Sequence, residues 1–214
     1  MSRVALCYGD SNTHGTMPVA SLGEMRRHPP ADRWPNRLAA LLAPEWEVLA
    51  EGHPGRTTLH DDPVEGAHRN GLTILPAILE SHRPIDLVIL KLGTNDLKPR
   101  FAVGAQDIAL SVERLIRAIR ATPAGPDGAA PAVLLIAPPP ITESGVLAAI
   151  FAGGAAVSRD LAPRLAEVAA RQSVPFVDAG RHVAVSPVDG IHYDAAAHHA
   201  LADAVAATVR AAFG

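Results

Sequence analysis

The feature that most limits the fold of this chain is a strict alternation of short apolar runs with longer stretches of helical period. Five runs read as brief, mostly buried strands: Val4–Tyr8, Glu47–Ala50, Ile85–Leu90, Ala132–Ala137 and Pro175–Val177. Around them the sequence predicts helices over about Trp34–Leu42, Leu72–Ser81, Ala105–Ala121, Ser158–Gln172 and Ala195–Phe213. Within the third of these, Ile108, Val112, Leu115, Ile116 and Ile119 recur at the spacing that stripes one face of a helix. Alternating strands and helices imply parallel strands joined by right-handed crossovers. The expected fold is therefore α/β, a three-layer α/β/α sandwich on a five-stranded parallel sheet. No repeat or composition shift marks a boundary, and 214 residues fit a single domain spanning 1–214. Ala121–Pro131 reads as an exposed Pro/Gly connector. The loop Pro138–Gly154 follows a strand, where α/β proteins tend to place the segments that form a site.

Charge and hydropathy exclude several functions. With 19 basic and 22 acidic residues intermixed, net charge is −3, and no Lys/Arg run offers a nucleic-acid footprint. No apolar run approaches the ~18–20 residues of a membrane span. The N-terminus MSRVALCYGDS enters a strand without the apolar stretch of a secretory signal, so a cytoplasmic protein is expected. Cys7 lies in an apolar run and reads as a buried small hydrophobe rather than a reactive thiol. The ten histidines show no closed metal-ligand spacing. His198 and His199 are adjacent, so a helix would point them about 100° apart. These two, with His60 and His68, are expected to be solvent-exposed, with no metal and no organic cofactor.

Four short blocks carry chemistry. Gly9-Asp10-Ser11-Asn12-Thr13 ends the first strand, where ligands of open α/β sheets bind, so the Ser11 hydroxyl is well placed. Ser11 as a mere helix N-cap is the competing reading. Asp189-Gly190-Ile191-His192 puts a carboxylate and an imidazole on one bend before the last helix. A serine needs such a base to take its proton, and the base needs a carboxylate to orient it. Asp194 then reads as the cap of the last helix. Leu92-Gly93-Thr94-Asn95-Asp96 follows the third strand, where the Asn95 amide can either donate to an oxyanion or cap a turn. Gly52-His53-Pro54-Gly55-Arg56 follows the second strand, and a glycine there can offer a backbone N–H.

In this order the blocks resemble the SGNH/GDSL hydrolase superfamily, whose Ser, Gly, Asn and His match Ser11, Gly55, Asn95 and His192. The resemblance spans Val4 to His192. Asp32-Arg33-Trp34, Arg56-Thr57-Thr58, Asp61-Asp62-Pro63, Ala137-Pro138-Pro139-Pro140 and Phe176-Val177-Asp178-Ala179-Gly180 are closer still to one subgroup. This is the bacterial arylesterases and acyltransferases typified by a mycobacterial enzyme. Asn12 stands in place of the usual Leu, and His14 where the subgroup often has Trp, which implies a more polar pocket mouth. The resemblance implies the flavodoxin-like SGNH fold with sheet order 2-1-3-4-5. It further implies a catalytic triad of Ser11, His192 and Asp189, and an oxyanion hole from the N–H groups of Ser11 and Gly55 with the Asn95 amide. It also implies a homo-oligomer acting on a small-molecule ester; the apolar run Val146–Phe151 is a second, weak pointer to an interface, the alternative being that this loop folds over its own pocket. Substrate contacts are expected from His14, Leu147, Ile150, Phe151 and Ile191. The bulk of the last four favours short acyl groups. Thr13 occupies the second-glycine position of a G-x-S-x-G elbow, which argues against the α/β-hydrolase arrangement. A catalytically silent binding module on the same fold is the rival reading. A nucleotide-binding domain is not, because neither Gly-rich phosphate motif is present.

Overall fold

The computed structural model describes residues 2–214. Its strands are β1 (Arg3–Gly9), β2 (Trp46–Gly52), β3 (Leu87–Lys91), β4 (Ala132–Ala137) and β5 (Phe176–Asp178). All pair in parallel in the order β2-β1-β3-β4-β5, as expected. The helices are α1 (Ser11–His14), α2 (Trp34–Leu42), α3 (Gly71–His82), α4 (Ala105–Arg120), α5 (Gly154–Gln172) and α6 (Ala195–Phe213). Loops and short 3₁₀ turns follow the strands at the carboxyl end of the sheet, where the site lies.

Because side chains alternate along a strand, the sheet makes two cores. Leu6, Tyr8, Val88, Leu90, Val133 and Leu135 point to one face and pack with α3, α4 and α5. Ala5, Cys7, Leu87, Ile89, Leu134 and Ile136 point to the other and pack with α2 and α6. The α4 stripe Ile108, Val112, Leu115, Ile116 and Ile119 is buried on the first face, each side chain worth about 1.5–3 kcal/mol of transfer free energy. Cys7 is buried, and burial pushes its thiol pKa far above the ordinary value, so it is an inert hydrophobe.

Most element ends shift by one or two residues from the expected ones, and two starts shift by two or more. Strand β3 starts at Leu87, because Ile85 N donates to Ala124 O and Asp86 N to Val4 O, outside the β3 ladders. Helix α5 starts at Gly154 rather than Ser158, since Gly154-Ala155-Ala156-Val157 carries no cap residue to announce it. Asp194 does cap α6, accepting from Ala197 N at 2.8 Å, and Asn70 caps α3 in the same manner. His198 is a correction. It is fully buried, accepts weakly from Trp34 N at 3.4 Å, and meets the rings of His28 and Tyr193 edge-on. Burial first, then neighbouring cations, pulls its pKa down to about 3, so it packs as a neutral core residue. His60 and His199 are half-buried, and only His68 is exposed as expected. No helix among the described residues is long and apolar enough to cross a membrane.

Candidate active site

Ser11 enters the site on a sharp turn at the end of β1. Asp10, not Ser11, is the N-cap of α1: its Oδ1 accepts from Asn12 N at 3.0 Å. The serine hydroxyl is therefore free of capping duty. Helix α1 lies directly on the end of β2, and a Cβ on Gly52 would come within 2.0 Å of His14 N. Only glycine allows that approach.

The base arrives from the other end of the chain. His192 Nε2 is 3.0 Å from Ser11 Oγ, across 181 residues of sequence, and His192 Nδ1 is 2.6 Å from Asp189 Oδ2. Asp189 Oδ1 also accepts from the backbone N–H of Ile191 and His192, and Oδ2 from Val19 N. Burial alone raises the Asp189 carboxyl, but His192 and these N–H donors outweigh it and hold its pKa below the ordinary carboxylate value. The bend needs Gly190, whose φ is +75° and whose Cβ would meet Thr142 O at 1.9 Å. That contact seats the 138–154 loop against the histidine loop, where Thr142 N donates to Gly190 O.

Gly55 and Asn95 close the site from β2 and β3. Among the described residues, neither Ser11 N nor Gly55 N has a hydrogen-bond acceptor. The Asn95 amide donates to Arg56 O at 3.1 Å, which consumes one of its two N–H bonds. It caps no local turn, so the plain capping role considered for it is not the one it plays.

A cavity of about 270 Å³ opens over these groups. It is lined by Ser11, Gly55, Asn95 and His192, and by all five expected contact residues, His14, Leu147, Ile150, Phe151 and Ile191. Asp189 lies behind the wall, fully buried. His14 bonds Thr16 Oγ1 at 3.1 Å, and burial, then Arg27 and Arg33, pulls its pKa down to about 4, so it is neutral at neutral pH. Leu147, Ile150 and Phe151 turn inward onto the core. Within one chain the loop thus folds over its own pocket.

Several residues with a part in this geometry, some inside the motif blocks and some outside them, are given no role there by the sequence. Asn12 clasps the two halves of the site, donating to Ile191 O at 3.1 Å and accepting from Tyr193 N at 3.2 Å. Arg56 is buried, stacks on Tyr8 and donates to Gly9 O at 2.8 Å, which ties the Gly55 loop to the serine turn. Asp96 accepts from Thr58 N and from the Thr58 hydroxyl, joining the β2 and β3 loops. Glu65, Arg69 and Lys98 add polar groups to the lining, with Lys98 bonded to Glu65 and its Nζ 5.9 Å above the Phe151 ring. Among the described residues no three His, Cys, Asp or Glu side chains gather closely enough to hold a metal ion.

Compared with family models, residues 7–200 match the GDSL-like lipase/acylhydrolase family. The chain belongs to that family. Solved structures place this GDSL-like chain beside an aryl esterase of M. smegmatis, at 38% identity and a TM-score of 0.93, over 98% of this chain and 99% of that one. A carbohydrate acetylesterase from Sinorhizobium meliloti is 36% identical with a TM-score of 0.94, over 99% and 100% of the two chains. No match is found among curated proteins. The fold expected for a GDSL-like hydrolase, five parallel strands in the order 2-1-3-4-5, is the fold observed.

Proposed function

We propose that this GDSL-like hydrolase is a serine esterase that cleaves small carboxylic esters with short acyl groups through an acyl-enzyme on Ser11. Carboxylic ester hydrolysis is the chemistry of its family. The observation that carries the reading is the continuous relay from Ser11 Oγ through His192 to Asp189, at 3.0 and 2.6 Å, opening on a cavity with unpaired N–H donors. Ser11 Oγ attacks the ester carbonyl as His192 Nε2 takes its proton. The oxyanion is received by Ser11 N, Gly55 N and the free Asn95 N–H. His192, its charge balanced by Asp189, returns the proton to the leaving alcohol. Water, or a second alcohol, then attacks the acyl carbon by the same route in reverse, giving hydrolysis or acyl transfer. Labelling of Ser11 by a fluorophosphonate probe, with turnover of p-nitrophenyl acetate, tests the assignment. No label and no turnover would favour the silent binding module.

Substrate size follows from the walls. Leu147, Ile150, Phe151 and Ile191 give a cavity of about 270 Å³ an apolar lining, to which Glu65, Arg69 and Lys98 add polar groups. These supports suit an acetyl or propionyl group on an aryl, alkyl or sugar alcohol. Each added methylene gains about 0.8 kcal/mol on burial, whereas forcing it into a filled site costs about 1–3 kcal/mol. Across p-nitrophenyl esters from C2 to C12, kcat/KM is expected to peak among the short chains; a maximum at C8 or beyond would refute the size limit.

The protein is further proposed to act in the cytoplasm as a homo-oligomer. Support for assembly comes from Met25, which lines the cavity mouth yet is 83% exposed, and from Leu22 on the same loop at 68%. Light scattering should give a multiple of 22.3 kDa; a 22.3 kDa particle at micromolar concentration excludes it.

A further inference from the structure

Below the serine turn lies a charge that the esterase mechanism leaves unused. Lys91, the last residue of β3, is fully buried, and its backbone is in register with Gly9 of β1. Its Nζ stands 3.8 Å from Asp10 Oδ1 and 5.1 Å above the ring of Tyr193, both of them also fully buried. Lys91 Nζ, Asp10 Oδ2 and the Tyr193 hydroxyl have no hydrogen-bond partner among the described residues. These three polar ends therefore face one another in an apolar setting, where an ammonium is retained only against a compensating charge. Burial favours loss of the Lys91 proton, but Asp10 and Tyr193 outweigh it and keep its pKa above the ordinary lysine value. Arg56 from the β2 loop and His28 and His198 from the α6 side are the other titratable groups around the cluster.

What sets this pair apart is which residues it reaches. Asp10 immediately precedes Ser11, and Tyr193 immediately follows His192. Asp10 caps α1 through Asn12 N, and Asn12 in turn holds Ile191 O and Tyr193 N. One side chain on the central strand thus touches the neighbour of the nucleophile and the neighbour of the base. We propose that Lys91 is a positioning residue, whose pairing with Asp10 and contact with Tyr193 fix the register between the Ser11 turn and the His192 loop. This rests on the serine-esterase reading.

The test compares Lys91→Met, Asp10→Asn and the double variant, with thermal melting, kcat and KM for p-nitrophenyl acetate, and the rate of fluorophosphonate inactivation. Either single variant leaves a buried charge without its partner. Each is expected to lose roughly 10–10²-fold in kcat and in inactivation rate with KM unchanged, the cost of misplacing reacting groups. In the double variant a neutral Asn still caps α1, so both the melting temperature and kcat should recover most of the loss. A folded Lys91→Met protein with wild-type kcat, or a double variant as slow as Lys91→Met, overturns the proposal. If Lys91→Met does not fold, the comparison moves to Asp10→Asn: a faster double variant supports the pairing and an equal or slower one overturns it. Wild-type protein that neither labels nor turns over would instead overturn the esterase reading itself, and this inference with it.

Discussion

Replacing Ser11 by Ala is expected to lower ester turnover by about 10⁴–10⁶-fold and abolish fluorophosphonate labelling, with the circular dichroism spectrum unchanged. Among the described residues the hydroxyl has one partner, His192 Nε2, and Asp10 rather than Ser11 caps α1, so its removal leaves the turn intact. His192→Ala should cost about as much. Asp189 keeps its three backbone N–H bonds in that variant, so the loop that carries it should hold. The informative measurement is the double variant. Nucleophile and base act as one unit, because a serine without a proton acceptor and a base without a nucleophile are equally idle. The double variant should therefore be little slower than either single one. Additive losses, or normal turnover by Ser11→Ala, would mean that Ser11 and His192 do not form the working pair.

Such a pair is legible in the amino-acid sequence because the GDSNT and DGIH blocks resemble those of the family, and topology explains why the groups around Ser11 meet. In a parallel α/β sheet every strand ends on the same edge, so Ser11 after β1, Gly55 after β2 and Asn95 after β3 are brought together by chain direction alone. The short strands and the α4 stripe are equally plain, because alternation and the helical period leave little choice. Less of the support is written locally. Arg56, Asp96 and Asn12 act through backbone carbonyls and N–H groups of loops far away in sequence, and nothing in their own neighbourhood announces those partners. His198 sits on a helix whose Ala-rich surroundings do not distinguish core from solvent, and its partner residues, His28 and Tyr193, come from two other segments. Lys91 ends an apolar strand as a charged residue would if it faced water, yet the sheet carries it inward to Asp10.

Asn95 offers the second large effect. Its amide holds Arg56 O with one N–H, which fixes the side-chain plane and leaves the other N–H for the cavity beside the free Ser11 and Gly55 amides. A donor fixed in advance costs no reorganisation when charge develops on the ester oxygen, and a dry site makes it worth more than in water. The ground-state carbonyl gains less than the tetrahedral oxyanion, so the loss should fall on kcat. Asn95→Ala is expected to lower kcat by ~10²–10³-fold, roughly 3–4 kcal/mol, with KM little changed. Loss of the bond to Arg56 O adds a stability cost of about 1 kcal/mol, visible as a lower melting temperature, and this separates the structural share of the substitution from the catalytic one. Asn95→Asp sharpens the test. It preserves the shape, but its carboxylate would face both Arg56 O and the developing oxyanion with negative charge, so it should be at least as slow as Asn95→Ala. A change confined to KM in the alanine variant, or an aspartate variant faster than it, would show that Asn95 binds substrate and does not receive the oxyanion.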